Sequence, residues 1–361
     1  MSSGVERAIV RICHGLKKHI DRKERLLSYR TKQNKGQQLE KHSVETRGVF
    51  CLWYNLKMQK RIGILRGGTG DNYHQSLRKG GEIIAYISEN LGDKYKTLDI
   101  LIDTDGVWHA AGRPIQLSDL MHRVDMVWNV AHANFSHSLD SLSIPHLSPA
   151  PFFSALLGSK ELLKEHLQKI GVKLPRSIIL PVYQEDFDGP KEKYAIKKAK
   201  EVFEKFSSPW IVKSFTEDKN MGIHLAKTFP ELCEAIEDGV NHGQSIVVEE
   251  FIGGKIATTH CVPEFRGKDA YVFPVGDRLG TFGPIEKEKL TVLSEDLYRH
   301  IGGKHYIKAD FVLDPRGKVY LLQMESEPDL RPGSHFSEAC ESIGAKAHHL
   351  VEHMLERTLN L

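Results

Sequence analysis

The stretch "YIKADFVLDPRGKVYLLQMESEP", residues 306–328, decides the reading of this chain. Two runs rich in aliphatic and aromatic residues flank Asp314-Pro315-Arg316-Gly317, where proline fixes φ and glycine tolerates a positive one, so the segment reads as a β-hairpin. With 314 opposite 317, Lys308 lies across from Gln323 and Asp310 across from Leu321. Side chains alternate along a strand, which puts Lys308, Asp310, Gln323 and Glu325 on one face. Charges buried without partners are costly, so this face asks for a counter-group. Two carboxylates and an amide carbonyl are hard oxygen donors of the kind Mg²⁺ (or Mn²⁺) takes alongside phosphate oxygens. Lys308 is itself a cation and would meet a phosphate oxygen instead. A polar face wetted only by solvent would give the same alternation.

Upstream, the chain repeats this habit of placing charge among apolar residues. Lys213 sits inside "SPWIVKSF" (208–215), a buried-type strand. Lys160 lies on the amphipathic helix read over 154–171, and Glu249 and Glu250 end the strand of "SIVVEEFIGG" (245–254). Each has a plain alternative, since lysines snorkel and acids at strand ends are usually solvated. Their order carries the weight: lysine, lysine on a strand, acidic strand end, acidic hairpin.

The rest of the chain supplies a frame. "RIGILRGG" (61–68), "TLDILID" (97–103) and "DMVWNVAHA" (125–133) are short apolar strands alternating with helical stretches, the pattern of a parallel α/β sheet. Gly67, Gly68 and Gly70 fall short of a full dinucleotide fingerprint, because Tyr73 occupies its last position. "SIPHLSPAPFF" (143–153), with three prolines, reads as a domain boundary. The last helix is expected to run through "SEACESIGAKAHHLVEHMLERTL".

The 361 residues are 40% apolar and 27% charged with a net charge of +3, the composition of an ordinary soluble protein. Five scattered cysteines without a C-x-x-C pair argue against a zinc cluster or a disulfide framework. No apolar run reaches membrane-spanning length and no secretory core is evident, so no membrane partner is expected and the cytoplasm is the default. Residues 1–57 hold 13 lysines and arginines against five aspartates and glutamates. Without interleaved aromatics or a recognition motif, this block does not read as a nucleic-acid arm. It reads as a dispensable extension, translated from upstream of a natural start at Met58.

From Arg61 onward the sequence resembles the D-alanine–D-alanine ligases of the ATP-grasp superfamily. The resemblance rests on "RIGILRGGTG…SLRKGG", "SALLGSKELLKEHLQKIGVKLP", "IVKSFTEDKNMG", "IVVEEFIGG" and "KADFVLDPRGKVYLLQMESEPDLRPGS", in collinear order over about 300 residues. It implies an α/β fold with an N-terminal Rossmann-like domain over 58–150, a central grasp lobe over 151–249 and a C-terminal lobe over 250–361 bearing the metal hairpin. It also implies ATP and Mg²⁺ as cofactors, small amino-acid substrates with D-alanine foremost, and it leaves room for a homodimer. By the resemblance Lys160 and Lys213 contact ATP phosphates, Glu249 the adenine amino group, and main-chain groups around Glu250 and Ile252 the ring. Asp310, Gln323 and Glu325 take the three metal-ligand positions, and Lys308 stands where the family has a phosphate-binding arginine. His132 corresponds to the histidine near the first substrate, and Ser334 to the serine that receives the second substrate's carboxylate.

The pattern also breaks. The metal pair reads Gln323 then Glu325 where the family has glutamate then asparagine. Asp218, Lys219 and Asn220 replace the glycine and serines of the phosphate-covering loop. Asn72 stands where the family's glutamate orients the substrate amine, Ile256 replaces the ribose-contacting glutamate, and no tyrosine-bearing substrate loop is recognisable between Phe265 and Leu290. The expected activity is an ATP-dependent carboxylate–amine ligase for peptidoglycan precursor synthesis. The alternatives are a ligase for another amino-acid pair, or a nucleotide-binding protein that no longer catalyses.

Overall fold

The computed structural model describes residues 59–70, 72–215, 221–276 and 281–360. The basic block 1–57 and the phosphate-loop residues Asp218, Lys219 and Asn220 lie outside the described residues.

Three sheets organise the described chain. In the first, Lys60–Gly67 runs parallel to Tyr95–Ile102 on one side and Met126–Asn129 on the other, and His146–Leu147 continues the parallel order. Trp108–Ala110 and Arg113–Pro114 close the far edge as antiparallel strands. Ile62, Ile64 and Leu65 are fully buried because a central parallel strand is covered on both faces. The strand ends at Gly67, whose φ is +88° and where an added Cβ would fall 2.1 Å from the carbonyl oxygen of Ile102; only glycine fits. The chain then turns into the helix Tyr73–Asn90, which buries Ser76, Gly80, Ile83 and Ile87 at helical spacing.

The second sheet is antiparallel, in the order His224–Ala226, Trp210–Ser214, Ile246–Glu250, Ser177–Leu180. Its apolar residues Trp210, Val212, Ile246 and Val248 pack in one core with Tyr194, Ala199 and Val202 of the helix Lys191–Lys205 and with Leu232 and Ile236 of Phe229–Asn241.

The third sheet runs Lys268–Val272, Lys255–Phe265, Ile307–Leu313, Val319–Glu325, Val172–Lys173, with only the last pair parallel. Phe153, Leu163 and Leu167 from the helices of residues 151–169 join its core, together with Leu290 and Leu297 of the helix Pro284–His300. The closing helix Ala347–Leu359 sends Leu350, Val351, Met354 and Leu355 back into one cluster with Ile62, Ile64 and Trp128 of the first sheet.

Two segments expected to be single helices are each two. Residues 154–171 divide into Pro151–Gly158 and Lys160–Lys169. Between them Ser159 is extended (φ −133°, ψ 106°), and its hydroxyl accepts the amide of Leu162, capping the second helix. The closing stretch divides into His335–Ser342 and Ala347–Leu359, parted at Gly344 with φ +72°.

The hairpin also departs from the simple register. Asp314 pairs through its amide with the carbonyl of Lys318 rather than facing Gly317, and a bulge falls between Asp310 and Phe311. Lys308 therefore lies opposite Glu325, and Asp310 opposite Gln323. The extra residue is on the second strand, where Leu322 and Gln323 are both exposed in succession. The four polar residues still share one face.

Candidate nucleotide and metal site

The hairpin face gathers its charges tightly. The Lys308 ammonium lies 3.1 Å from an oxygen of Asp310 and 3.2 Å from one of Glu325. Gln323 donates its amide N–H to Glu325 at 2.9 Å, which leaves its carbonyl oxygen available as a ligand. From the next strand, the Thr258 hydroxyl donates to Asp310 at 2.6 Å. Burial works against the charged form of Lys308, but Asp310 and Glu325 outweigh it and raise its pKa. These oxygens fit a divalent cation in type and number, and Lys308 between them demonstrates that the site stabilises positive charge.

The lysines and the first glutamate of "VVEEF" form a second cluster. Lys160 opens its helix at the position after the Ser159 cap, and its ammonium donates to Glu249 at 2.9 Å and to the Ser177 hydroxyl at 2.8 Å. Lys213 reaches the other carboxylate oxygen of Glu249 at 2.8 Å from the neighbouring strand. Burial would raise the Glu249 pKa; the two ammoniums outweigh it and hold the carboxyl below its usual range. Glu250 points to the other side of the strand. Arg176 grips it with two N–H donors at 2.9 and 2.8 Å, and that pairing lowers its pKa against a smaller effect of burial. Beyond it, Ile252 is half-buried in the turn, and Gly254 follows where a Cβ would meet the Leu313 carbonyl oxygen at 2.2 Å. Ile256 is 67% exposed.

Among the described residues, neither His132 nor Ser334 hydrogen-bonds to a member of either cluster. His132 is exposed in the loop after Met126–Asn129, its Nδ1 accepting the amide of Asn134 at 3.2 Å. Buried Asn129 fixes that loop by donating to the His132 carbonyl and accepting the Ala131 amide. Ser76 ties the same loop to the glycine turn, since its hydroxyl accepts from Gly67 N–H and donates to the Val130 carbonyl. Ser334 caps the helix His335–Ser342: its hydroxyl accepts the Ser337 amide and donates to the Asp329 carbonyl at 2.7 Å. Asn72 starts the helix Tyr73–Asn90 without a side-chain cap.

Sequence reading missed Thr258, His260, Tyr306 and His335, which extend the hairpin's polar side. Thr258 and His260 lie across from Asp310 and Lys308. The alternation of "KIATTHCV" was the available signal, obscured because four residues from Ala257 to His260 are at most half-exposed whatever their face.

Comparison with known proteins bears on the fold. No family profile matches the chain. A D-alanine–D-alanine ligase of Azobacteroides pseudotrichonymphae genomovar. CFP2 is 21% identical over 335 residues, covering 82% of this chain and 99% of the relative. Among solved structures, D-alanyl-alanine synthetase A of Vibrio cholerae O1 biovar eltor matches with a TM-score of 0.60 at 17% identity, over 83% of this chain and 98% of that one. The VanG D-Ala:D-Ser ligase of Enterococcus faecalis matches with a TM-score of 0.59 at 17% identity, over 83% and 100%. The chain therefore shares the mixed α/β fold of these ligase structures.

Proposed function

As a divergent relative of the D-alanine–D-alanine ligases, this chain, we propose, is an ATP-dependent ligase that joins a carboxylate to an amine. The observation that carries the proposal is a pair of clusters with opposite surplus charge: two carboxylates around Lys308, and two ammoniums around Glu249. A metal-bound nucleotide supplies one partner for each. Asp310, Glu325 and the Gln323 carbonyl would hold a divalent ion such as Mg²⁺, whose chemistry is to neutralise phosphate charge. Lys160 and Lys213 would exchange part of their hold on Glu249 for phosphate oxygens, and Glu249 would take the adenine amino group. The backbone from Glu250 to Ile252 would border the ring.

The reaction needs little nucleophilic chemistry from the protein. The γ-phosphoryl group moves to a substrate carboxylate; an amine then attacks the acyl carbon, forming the amide and releasing phosphate. Positioning and charge neutralisation carry the rate, with Lys308 facing the transferring phosphoryl group. His132, in the loop locked by Asn129 and Ser76, would flank the first substrate, and the helix start at Ser334 the carboxylate of the second. D-Alanine is the expected substrate on both sides, which places the product among peptidoglycan precursors.

Asn72 favours a second reading. It offers a neutral amide where an amine-orienting carboxylate is expected, as suits a ligase for a different pair of substrates or a chain that binds nucleotide without turning it over. A panel of D- and L-amino acids with phosphate release as the readout decides between these. Stimulation by D-alanine supports the first reading, stimulation by another pair changes the substrate, and nucleotide binding without stimulation supports the non-catalytic form.

A further inference from the structure

The hairpin face already carries a cation of its own. The Lys308 ammonium lies 3.1 Å from Oδ2 of Asp310 and 3.2 Å from Oε1 of Glu325, and among the described residues it makes no other hydrogen bond or ion pair. These are the carboxylates proposed above as metal ligands. A divalent ion and an ammonium cannot both sit at contact distance from the same two groups, because like charges that close repel strongly in a partly buried site. One must leave for the other to enter. Lys308 is built to leave: its charge rides on a flexible four-carbon stem, so the ammonium can swing out while its backbone stays paired in the sheet.

What stays behind has to keep the carboxylates in place. Thr258 stands directly across from Asp310 on the neighbouring strand, and its hydroxyl lies 2.6 Å from Oδ1. An ionised carboxylate only accepts, so the hydroxyl is the donor. The two oxygens of Asp310 are thus divided, Oδ1 held by Thr258 and Oδ2 by the ammonium. Thr258 is anchored in turn: its carbonyl accepts the amide of Gly276 at 3.1 Å, and its β-branched side chain has few rotamers. On the other side, Gln323 donates to Oε1 of Glu325 at 2.9 Å. When Lys308 departs, Asp310 keeps one oxygen tethered and presents the other.

We infer that Lys308 is the resident counter-ion of the hairpin face, displaced when a divalent cation takes its place between Asp310 and Glu325, and that Thr258 is the positioning residue that keeps Asp310 turned to receive that cation. The inference deepens the metal part of the reading above and rests on it. It gives Lys308 two successive partners, the carboxylates before the metal arrives and a phosphate oxygen afterwards.

The test is binding of Mn²⁺ alone to the full chain, without nucleotide, followed by the electron paramagnetic resonance signal of the free ion. K308M removes the competitor and should bind Mn²⁺ about 10-fold more tightly than the wild type. T258V keeps the β-branched shape but not the hydroxyl and should bind about 10-fold more weakly, while T258S, which restores the hydroxyl, should return close to the wild-type value. In thermal melts, K308M should be less stable than the wild type in EDTA and should gain more from Mn²⁺, since the ion replaces the missing charge. Mn²⁺ affinity in K308M equal to or below that of the wild type overturns the exchange, as does the absence of binding in both. An unchanged affinity in T258V, or a loss that T258S does not repair, overturns the role of Thr258. Should the chain exchange lysine for metal in this way yet join no amino acids, the ligase reading fails and the exchange stands.

Discussion

The hairpin and the lysine clasp are mirror images in charge. At the hairpin one ammonium lies between two carboxylates, Asp310 and Glu325; at the clasp one carboxylate, Glu249, lies between two ammoniums, Lys160 and Lys213. Each arrangement pairs most of its charge internally and keeps a surplus of one sign. A purely structural ion cluster gains nothing from a surplus, because partly buried charge is costly unless balanced. On the proposed ligase reading the two sites are halves of one binding problem, the first short of a cation and the second short of an anion.

The largest expected effect comes from breaking the anionic half. Asp310→Asn keeps an acceptor for the Thr258 hydroxyl, so the fold should melt as the wild type does, while ADP release should fall by about 100-fold or more. Full activity in that variant would remove the hairpin from the site. Next is the cationic half. Lys213→Met should weaken nucleotide binding about 10- to 100-fold, measured by competition with a fluorescent analogue. A loss confined to stability, with affinity intact, would make the clasp structural.

Glu249→Gln separates the two roles of the clasp. Because the folded Glu249 carboxyl is held below its usual range, it contributes stability that is present above about pH 4.3, the unfolded value, and is lost as pH falls through the lower folded one. The variant should therefore be about 1 kcal/mol less stable at pH 7, discounted because both lysines are over a third exposed, and the gap should close in acid. A gap that widens as pH falls would reverse the assignment. The smallest effect is expected at Arg176→Ala. Its pair with Glu250 sits beside the clasp but has a 56% exposed arginine, so denaturant melts should move by about 0.5 kcal/mol or less.

How much of this was legible differs between the two halves. Alternation alone put Lys308, Asp310, Gln323 and Glu325 on one face, because period two survives any even shift in register. The cross-strand pairs did not follow, because the bulge at Leu322 has no glycine or proline to mark it. The helix break at Ser159 was masked by apolar spacing that continues through "LLGSKELL", although a serine before a charged first turn is a cap signal. By the family resemblance the clasp residues read as two phosphate lysines and an adenine glutamate, yet their meeting on one carboxylate needs Lys160 brought up to a sheet formed by residues far along the chain. The hydrogen bond of His260 to His335 was illegible, since the two residues stand 75 apart in the chain.

The most direct test of the two-halves account is calorimetric titration of the full chain with ATP, first with Mg²⁺ and then with EDTA. Binding should be tight with the metal, weaker by about 10-fold or more without it, and insensitive to the metal in Asp310→Asn. Equal heats with and without Mg²⁺ in the wild-type protein, or no heat in either case, would contradict it.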